Sequence, residues 1–248
     1  MGGAVLSKLY VVGIGPGGHE HMTIRADRVL RSCDVIAGYH VYVDLIRGDY
    51  PDKEYLTTGM TGEVRRCEMA LAEARKGRTV AMVCSGDSGV YGMAGLIYQL
   101  RGESGEPEVE VIPGLTAALS GGALLGAPLT HDFAVISLSD RLTGWETIAG
   151  RLRAAAGADM AMAIYNPESR TRSGYLRRAA EILLEQLPPD RPCGVAHSIG
   201  REGERGVLTT LEGLLTYPAD MFCTVFVGSS STRIIGGRLV TPRGYRDV

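Results

Sequence analysis

Residues 11–23 read VVGIGPGGHEHMT, and Gly13, Gly15 and Gly18 satisfy the G-x-G-x-x-G spacing. Dinucleotide-binding folds use that spacing to bring backbone N–H groups up to a pyrophosphate. Two more small-residue stretches follow apolar runs: residues 85–92 (SGDSGVYG) after TVAMVC, and residues 113–118 (PGLTAA) after VEVI. Three such loops meeting at one sheet edge would build a cleft lined by backbone N–H and C=O groups. One acid, Asp87, stands among them, suited both to proton transfer and to capping its own turn. No lysine follows any loop in the manner of a P-loop, which argues against Walker-type phosphate chemistry. His19 and His21 lie two apart with no cysteine or acidic partner set, a poor basis for a metal site, and no metal is expected.

The dinucleotide reading asks for more than glycines. Its helix must open at the loop, so that the first free N–H groups face the pyrophosphate. Here Pro16 sits inside the loop, and four residues (19–22) intervene before Thr23, the first residue suited to cap a helix. The acid that should hold a ribose hydroxyl closes the second strand in that fold. Asp34 has about the right separation but opens the run CDVIA instead. The pattern passes as letters and fails as geometry. The other elementary reading is a tight turn and nothing more.

The elements that must position these loops alternate along the chain. Residues 9–12 form a short apolar run ending in glycines, Thr23 opens a helix through residues 24–30, and residues 33–37 read as a strand. Residues 63–76 carry apolar side chains at helical spacing and stop at Gly77. TVAMVC (79–84) is continuously apolar, as a strand buried on both faces should be, and VEVI (109–112) is the next strand. Residues 114–126 are small and apolar, which predicts a buried helix, and Gly126-Ala127-Pro128 breaks the chain. A second set follows: strands in FAVISL, DMAMAIY, CGVAHS, GVLTTL and MFCTVFVG, with helices over 145–156 and 175–187. This order predicts an α/β protein of two compact domains, residues 1–128 and 129–248, joined around 127–132.

Bulk properties narrow the function classes. The 248 residues are 45% hydrophobic and 22% charged, with 26 basic against 28 acidic side chains, a formal net charge of −2. That balance gives no electrostatic reason to expect nucleic acid or a membrane surface as partner. Cys33, Cys67, Cys84, Cys193 and Cys223 never form C-x-x-C, and an odd, scattered set suits reduced thiols in a cytoplasmic protein. No apolar run approaches the roughly 20 residues that span a bilayer, and the first residues are too short an apolar stretch for a secretory signal.

Four ordered stretches together resemble the tetrapyrrole (precorrin/cobalt-factor) methyltransferases. GIGPGG is similar to that family's opening G-x-G-P-G loop, and SGDSGVYGMA to its G-D-P/A-x-x-Y segment. VIPGLTAALS is similar to its P-G-x-S/T-A segment, and GAPLTHDF to its entry into the second domain. GYHVYVDLI, SLSDRLTGWE, IYNPESRTR and HSIGREGE point within the family to the ring-contracting, C17-methylating members. Ser88 stands where much of the family has Pro, and Gly144 where Pro is expected before Trp145.

The resemblance implies two α/β domains with a cleft between them, of tetrapyrrole-methylase type rather than a Rossmann methyltransferase. It implies S-adenosylmethionine, bound folded in that cleft, with S-adenosylhomocysteine as product. A sulfonium cofactor has no pyrophosphate, in keeping with the failed dinucleotide geometry. Carried over residue by residue, Pro16, Gly86, Asp87, Val90, Tyr91, Thr116 and Ala117 would meet the cofactor from the first half. Tyr165, Asn166, Ala196, His197 and Thr224 would meet it from the second. For the proton movements of ring contraction the resemblance points first to His131, then to Tyr39 and Asp87; a hydrogen-bonded hinge role for His131 stays open. Gly15 and Gly17 would leave room for a flat macrocycle, and Arg141, Arg170, Arg172 and Arg201 would meet its carboxylate arms unless they are solvated surface residues. The partner implied is a small-molecule tetrapyrrole, and a homodimer is expected. Other classes remain open at this point: another member acting on a cobalt-loaded ring, a nicotinamide-dependent oxidoreductase, or a nucleotide-sensing module without catalysis.

Overall fold

A computed structural model describes residues 8–169 and 173–245, and the chain divides into two compact units, residues 1–116 and 117–248. In the first unit the glycine-terminated apolar run is strand β1 (Lys8–Gly13). Thr23 caps helix α1 (Ile24–Ser32), its Oγ1 accepting from the Ala26 N–H at 3.1 Å. There follow β2 (Val35–Tyr39), the short α2 (His40–Asp44), β3 (Glu54–Thr58), α3 (Glu63–Arg75), β4 (Thr79–Cys84), α4 (Ala94–Arg101) and β5 (Glu108–Ile112). The five strands make one parallel sheet in the order β3-β2-β4-β1-β5.

Both faces of that sheet are covered, as the apolar continuity of β4 requires. Leu9 and Val11 of β1 pack with Cys67, Leu71 and Ile97 from α3 and α4. Val12 lies in the opposite layer, with Ala26, Val29 and Leu30 of α1. Asp34 accepts the Thr79 N–H at 2.8 Å, so its carboxylate fastens β2 to β4 at the amino edge of the sheet.

The second unit begins with α5 (Ala117–Leu125) and continues through β6 (Gly126–Ala127), β7 (Phe133–Ser137), α6 (Trp145–Gly157) and β8 (Ala161–Tyr165). It ends with α7 (Tyr175–Leu184), β9 (Pro192–His197), β10 (Arg205–Thr210), β11 (Cys223–Val227), β12 (Arg233–Ile235) and β13 (Arg238–Val240). A mixed sheet runs β10-β9-β11-β8-β7, and β12-β13-β6 form a small second one. α6 and α7 cover one face of the mixed sheet through Ile148, Leu152, Leu176 and Leu183. α5 covers the other, and Gly121 lets it approach so closely that a Cβ there would lie 3.0 Å from the Phe226 ring.

The division after Thr116 falls earlier than the break anticipated at 127–132. The cause is α5: its Ala118 and Leu125 are buried with Ala163, Ala196 and Phe226 of the second sheet. The chain does leave the helix at Gly126-Ala127, where β6 begins, but that point lies inside the second unit.

Candidate functional site

In the first unit three loops leave the carboxyl edge of the parallel sheet and are locked to one another through the backbone. Gly15 N–H donates to the Gly86 carbonyl at 3.1 Å, and Gly86 N–H returns a bond to Gly15 at 2.7 Å. A Cβ on Gly13 would stand 2.7 Å from both the Gly114 nitrogen and the Gly86 oxygen. A Cβ on Gly114 would meet the Gly86 oxygen at 2.1 Å. Gly13 and Gly114 are therefore required because three backbones converge. Gly15 adds a φ of +76°, which favours glycine. Pro16 and Gly17 are buried beside this bridge, and Gly18 is exposed.

Asp87 completes the lock. One carboxylate oxygen accepts the Gly89 and Val90 N–H groups at 2.8 and 3.1 Å, and the other accepts Gly114 N–H at 2.9 Å. Both oxygens are thus spent on holding the second loop in shape and tying it to the third. Ser88 supports the same joint, its buried hydroxyl donating to the Ile112 carbonyl at 3.0 Å. Val90 and Tyr91 stand exposed on the framework, 37% and 53%, and Tyr91 holds a φ of +55°. An aromatic residue in the left-handed region is a strained position that the surrounding loop must enforce.

Tyr39 ends β2 directly across from Thr58 of β3, at the same carboxyl edge. Its ring makes edge contacts with His40 at 4.6 Å and Tyr42 at 5.1 Å. Thr116 is partly buried at the end of the third loop.

In the second unit the ends of β7, β8 and β9 carry Ser137, Tyr165 and His197, and the three strands run in one direction. Asn166 Nδ2 donates to Ser137 Oγ at 3.0 Å, and the Tyr165 hydroxyl accepts the Ala118 N–H at 2.7 Å, next to Ala117 at the opening of α5. Ala196 pairs with Thr224 across β9 and β11, both buried. Asn166 and Ser198 have φ values of +52° and +46°, so two more strand ends at this edge are strained.

His197 is buried, and burial followed by the neighbouring Arg205 guanidinium lowers its pKa from the ordinary value. Its Nε2 lies 2.7 Å from the Tyr217 hydroxyl, and its Nδ1 lies 3.1 Å from Cys223 Sγ and 3.3 Å from Arg205 Nη2. His197, Asp220 and Cys223 bring donor atoms within 4.8 Å of one another. The guanidinium faces the very nitrogen a cation would need, and burial pushes the Cys223 thiol up to about 12, away from the thiolate a metal takes. The donor set fits a hydrogen-bonded packing cluster better than a metal centre.

The remaining sequence candidates separate from these edges. His131 precedes β7, at the amino end of the strand whose carboxyl end carries Ser137. The strand itself spans about 13 Å from Phe133 to Ser137, and His131 lies two residues further back. Its Nε2 lies 3.1 Å from the Pro242 carbonyl, a contact within the second unit and so hydrogen-bonded but not a hinge between units. Arg141 is exposed, and Arg201 stacks its guanidinium 5.8 Å from the Phe222 ring centroid. Arg170 and Arg172 lie outside the described residues. Sequence reasoning missed Ser137 and Tyr217, which look like ordinary strand and loop residues. It also missed Arg66, one of several arginines on an amphipathic helix.

The sequence profile of the family described as Tetrapyrrole (Corrin/Porphyrin) Methylases matches residues 8–215. The chain belongs to that family. It is a methyltransferase by that membership, and S-adenosylmethionine is its methyl donor. It is 44% identical over 238 residues to a probable cobalt-factor III C(17)-methyltransferase of Salmonella typhimurium, covering 96% of this chain and 99% of the relative. A cobalt-factor III methyltransferase of Priestia megaterium is 46% identical over 244 residues, 96% of this chain, but the match spans only 45% of that longer protein. Among solved structures the methyltransferase CobJ superposes with a TM-score of 0.87 at 36% identity, covering 94% of this chain and 99% of that one. Among the described residues, no helix is long and apolar enough to cross a membrane.

The residues present suit a sulfonium cofactor. The loops offer backbone groups, the exposed Val90 and Tyr91 offer apolar surface, and no helix opens at the first glycine loop to grip a pyrophosphate. A turn of 3-10 helix (His19–His21) intervenes before α1, and Thr23 already satisfies the helix start. The dinucleotide alternative ends there.

Proposed function

We propose that the chain methylates C17 of a precorrin-3-level tetrapyrrole, with contraction of the macrocycle, in cobalamin biosynthesis. The observation that carries this reading is the likeness to the Salmonella C17-methyltransferase along almost the whole of both chains. In the first unit the candidate cofactor contacts are Pro16, Gly86, Val90, Tyr91 and Thr116, on loops that Asp87 holds. In the second unit, taken by itself, the candidates that the family resemblance implies are Ala117, Tyr165, Asn166, Ala196, His197 and Thr224.

Bound S-adenosylmethionine supplies an electrophilic methyl group. The chain's work is to hold that methyl in line with the attacking carbon at near-attack distance, which needs rigidity rather than a nucleophilic side chain. Asp87 supplies rigidity, since both its oxygens are engaged with backbone N–H groups. Tyr39 is the stronger candidate for moving protons during contraction: among the described residues its phenol has no hydrogen-bond partner. His131 is better suited to fastening the chain at Pro242. Gly15 and Gly17 keep the first loop free of side chains beside the macrocycle, and Arg141, Arg170, Arg172 and Arg201 are candidates for its carboxylates.

The relatives named for cobalt-factor III, 46% and 44% identical, favour the cobalt-loaded ring over precorrin-3B. Incubation with each ring and methyl-labelled cofactor, followed by mass and NMR analysis of the product, tests both points. A label at C17 on a contracted ring is the expected result, and a product without it overturns the assignment. Five buried free cysteines suit a reducing cytoplasm, and sedimentation should give the mass of a homodimer.

A further inference from the structure

Arg66 is a buried cation that, among the described residues, has no anion beside it. It lies one turn inside α3 and only 6% of its surface is exposed. Its Nη1 donates to the Thr58 hydroxyl at 2.6 Å and reaches the Gly59 carbonyl at 3.5 Å. Its guanidinium carbon stands 5.9 Å from the centroid of the Tyr39 ring. Among the described residues no carboxylate pairs with it, and its Nε and Nη2 make no hydrogen bond yet are not sealed from solvent.

One short hydrogen bond and one distant ring contact leave most of the guanidinium's donors unused. A buried charge without a counter-ion is costly. The start of a helix is the positive end of its dipole, which disfavours a cation, and Gly62 caps α3 with no side chain. The position is informative as well. Tyr39 and Thr58 are paired last residues of β2 and β3, at the carboxyl edge that also carries the loops of Gly13 and Gly86. β2 is two strands from β1, about 10 Å across the sheet. A free guanidinium edge there suits a planar carboxylate, which arginine grips through two parallel N–H···O bonds.

We propose that Arg66 anchors one carboxylate arm of the substrate, with Thr58 holding the guanidinium and the Tyr39 ring forming a wall beside it. The inference rests on the reading that the substrate is a tetrapyrrole bearing acetate and propionate arms. It adds a specificity residue that the arginines of the second unit do not supply.

The test uses Arg66→Gln and Arg66→Lys in the full chain, with cobalt-factor III and its methyl ester as probes. The expected result for Arg66→Gln is a KM at least tenfold higher, a kcat within about threefold, unchanged S-adenosylhomocysteine affinity, and a thermal midpoint no lower than that of the wild type. The wild type should prefer free acid to ester, Arg66→Gln should lose that preference, and Arg66→Lys should keep part of it. An acid-to-ester ratio in Arg66→Gln equal to that of the wild type overturns the proposal, whatever the midpoint does. A wild-type chain that binds S-adenosylhomocysteine but neither ring form overturns the tetrapyrrole reading, and this proposal with it.

Discussion

At the scale of single residues, Asp87 and His197 make opposite uses of charge. The Asp87 carboxylate accepts three backbone N–H groups on two loops. Asp87→Asn keeps the shape but turns one acceptor oxygen into a donor facing an N–H. Bonds to charged groups contribute roughly 1.5–3 kcal/mol each, so one such loss should weaken S-adenosylhomocysteine binding by about tenfold or more in calorimetry. Asp87→Ala should be worse, and an unchanged affinity would show that the loops hold without it. His197 is instead kept neutral by burial and by Arg205, while Asp220 pulls weakly the other way. Its pKa is lowered in the folded state, so the unfolded chain takes up the proton more readily. Its stabilising contribution is complete above the unfolded value of about 6.5 and drains away as pH falls toward the folded value. The thermal midpoint should therefore drop more steeply between pH 7 and 5.5 in the wild type than in His197→Gln; equal slopes would refute this.

At the scale of elements, the glycines sort by what a Cβ would meet. A methyl on Gly114 would stand 2.1 Å from the Gly86 oxygen, and backbone cannot rotate away as a side chain could. Gly114→Ala should cost about 1–3 kcal/mol in urea unfolding and weaken cofactor binding by separating the loops. Gly95 in α4 and Gly150 in α6 have nothing within 4 Å and ordinary φ, so alanine at either should add about 0.5–1 kcal/mol of stability and leave binding alone. This contrast also marks what the sequence could disclose. β4 and α3 were legible, because continuous apolar residues and helical spacing are local signals. β3 was missed because EYLTT, at the sheet edge, carries no apolar run, and the β12–β13 hairpin because Ile234 and Ile235 stay exposed. The three loops were legible as loops. That Gly13, Gly86 and Gly114 touch one another, or that Tyr91 and Asn166 sit at positive φ, depends on strand order and was not. Arg66 is the sharpest case: its letter is that of a surface residue, and only its burial with no carboxylate partner among the described residues sets it apart.

At the scale of the whole molecule, each of the four apolar clusters among the described residues lies within one unit. Leu9, Val11 and Met82 hold the first sheet to α3 and α4, whereas Phe226 is the largest side chain buried between the second sheet and α5. Cores that share no side chain give each unit its own source of cooperativity, so local opening should follow unit boundaries. Phe226→Ala removes a fully buried ring from beneath Gly121 and Gly122 and should cost about 3–5 kcal/mol. In native-state hydrogen exchange that loss should appear as faster exchange in β8, β9 and β11. Amides of β1, β2 and β4 should keep their wild-type protection. Equal acceleration in both sets would mean that the two units open together and that stability is shared along the whole chain.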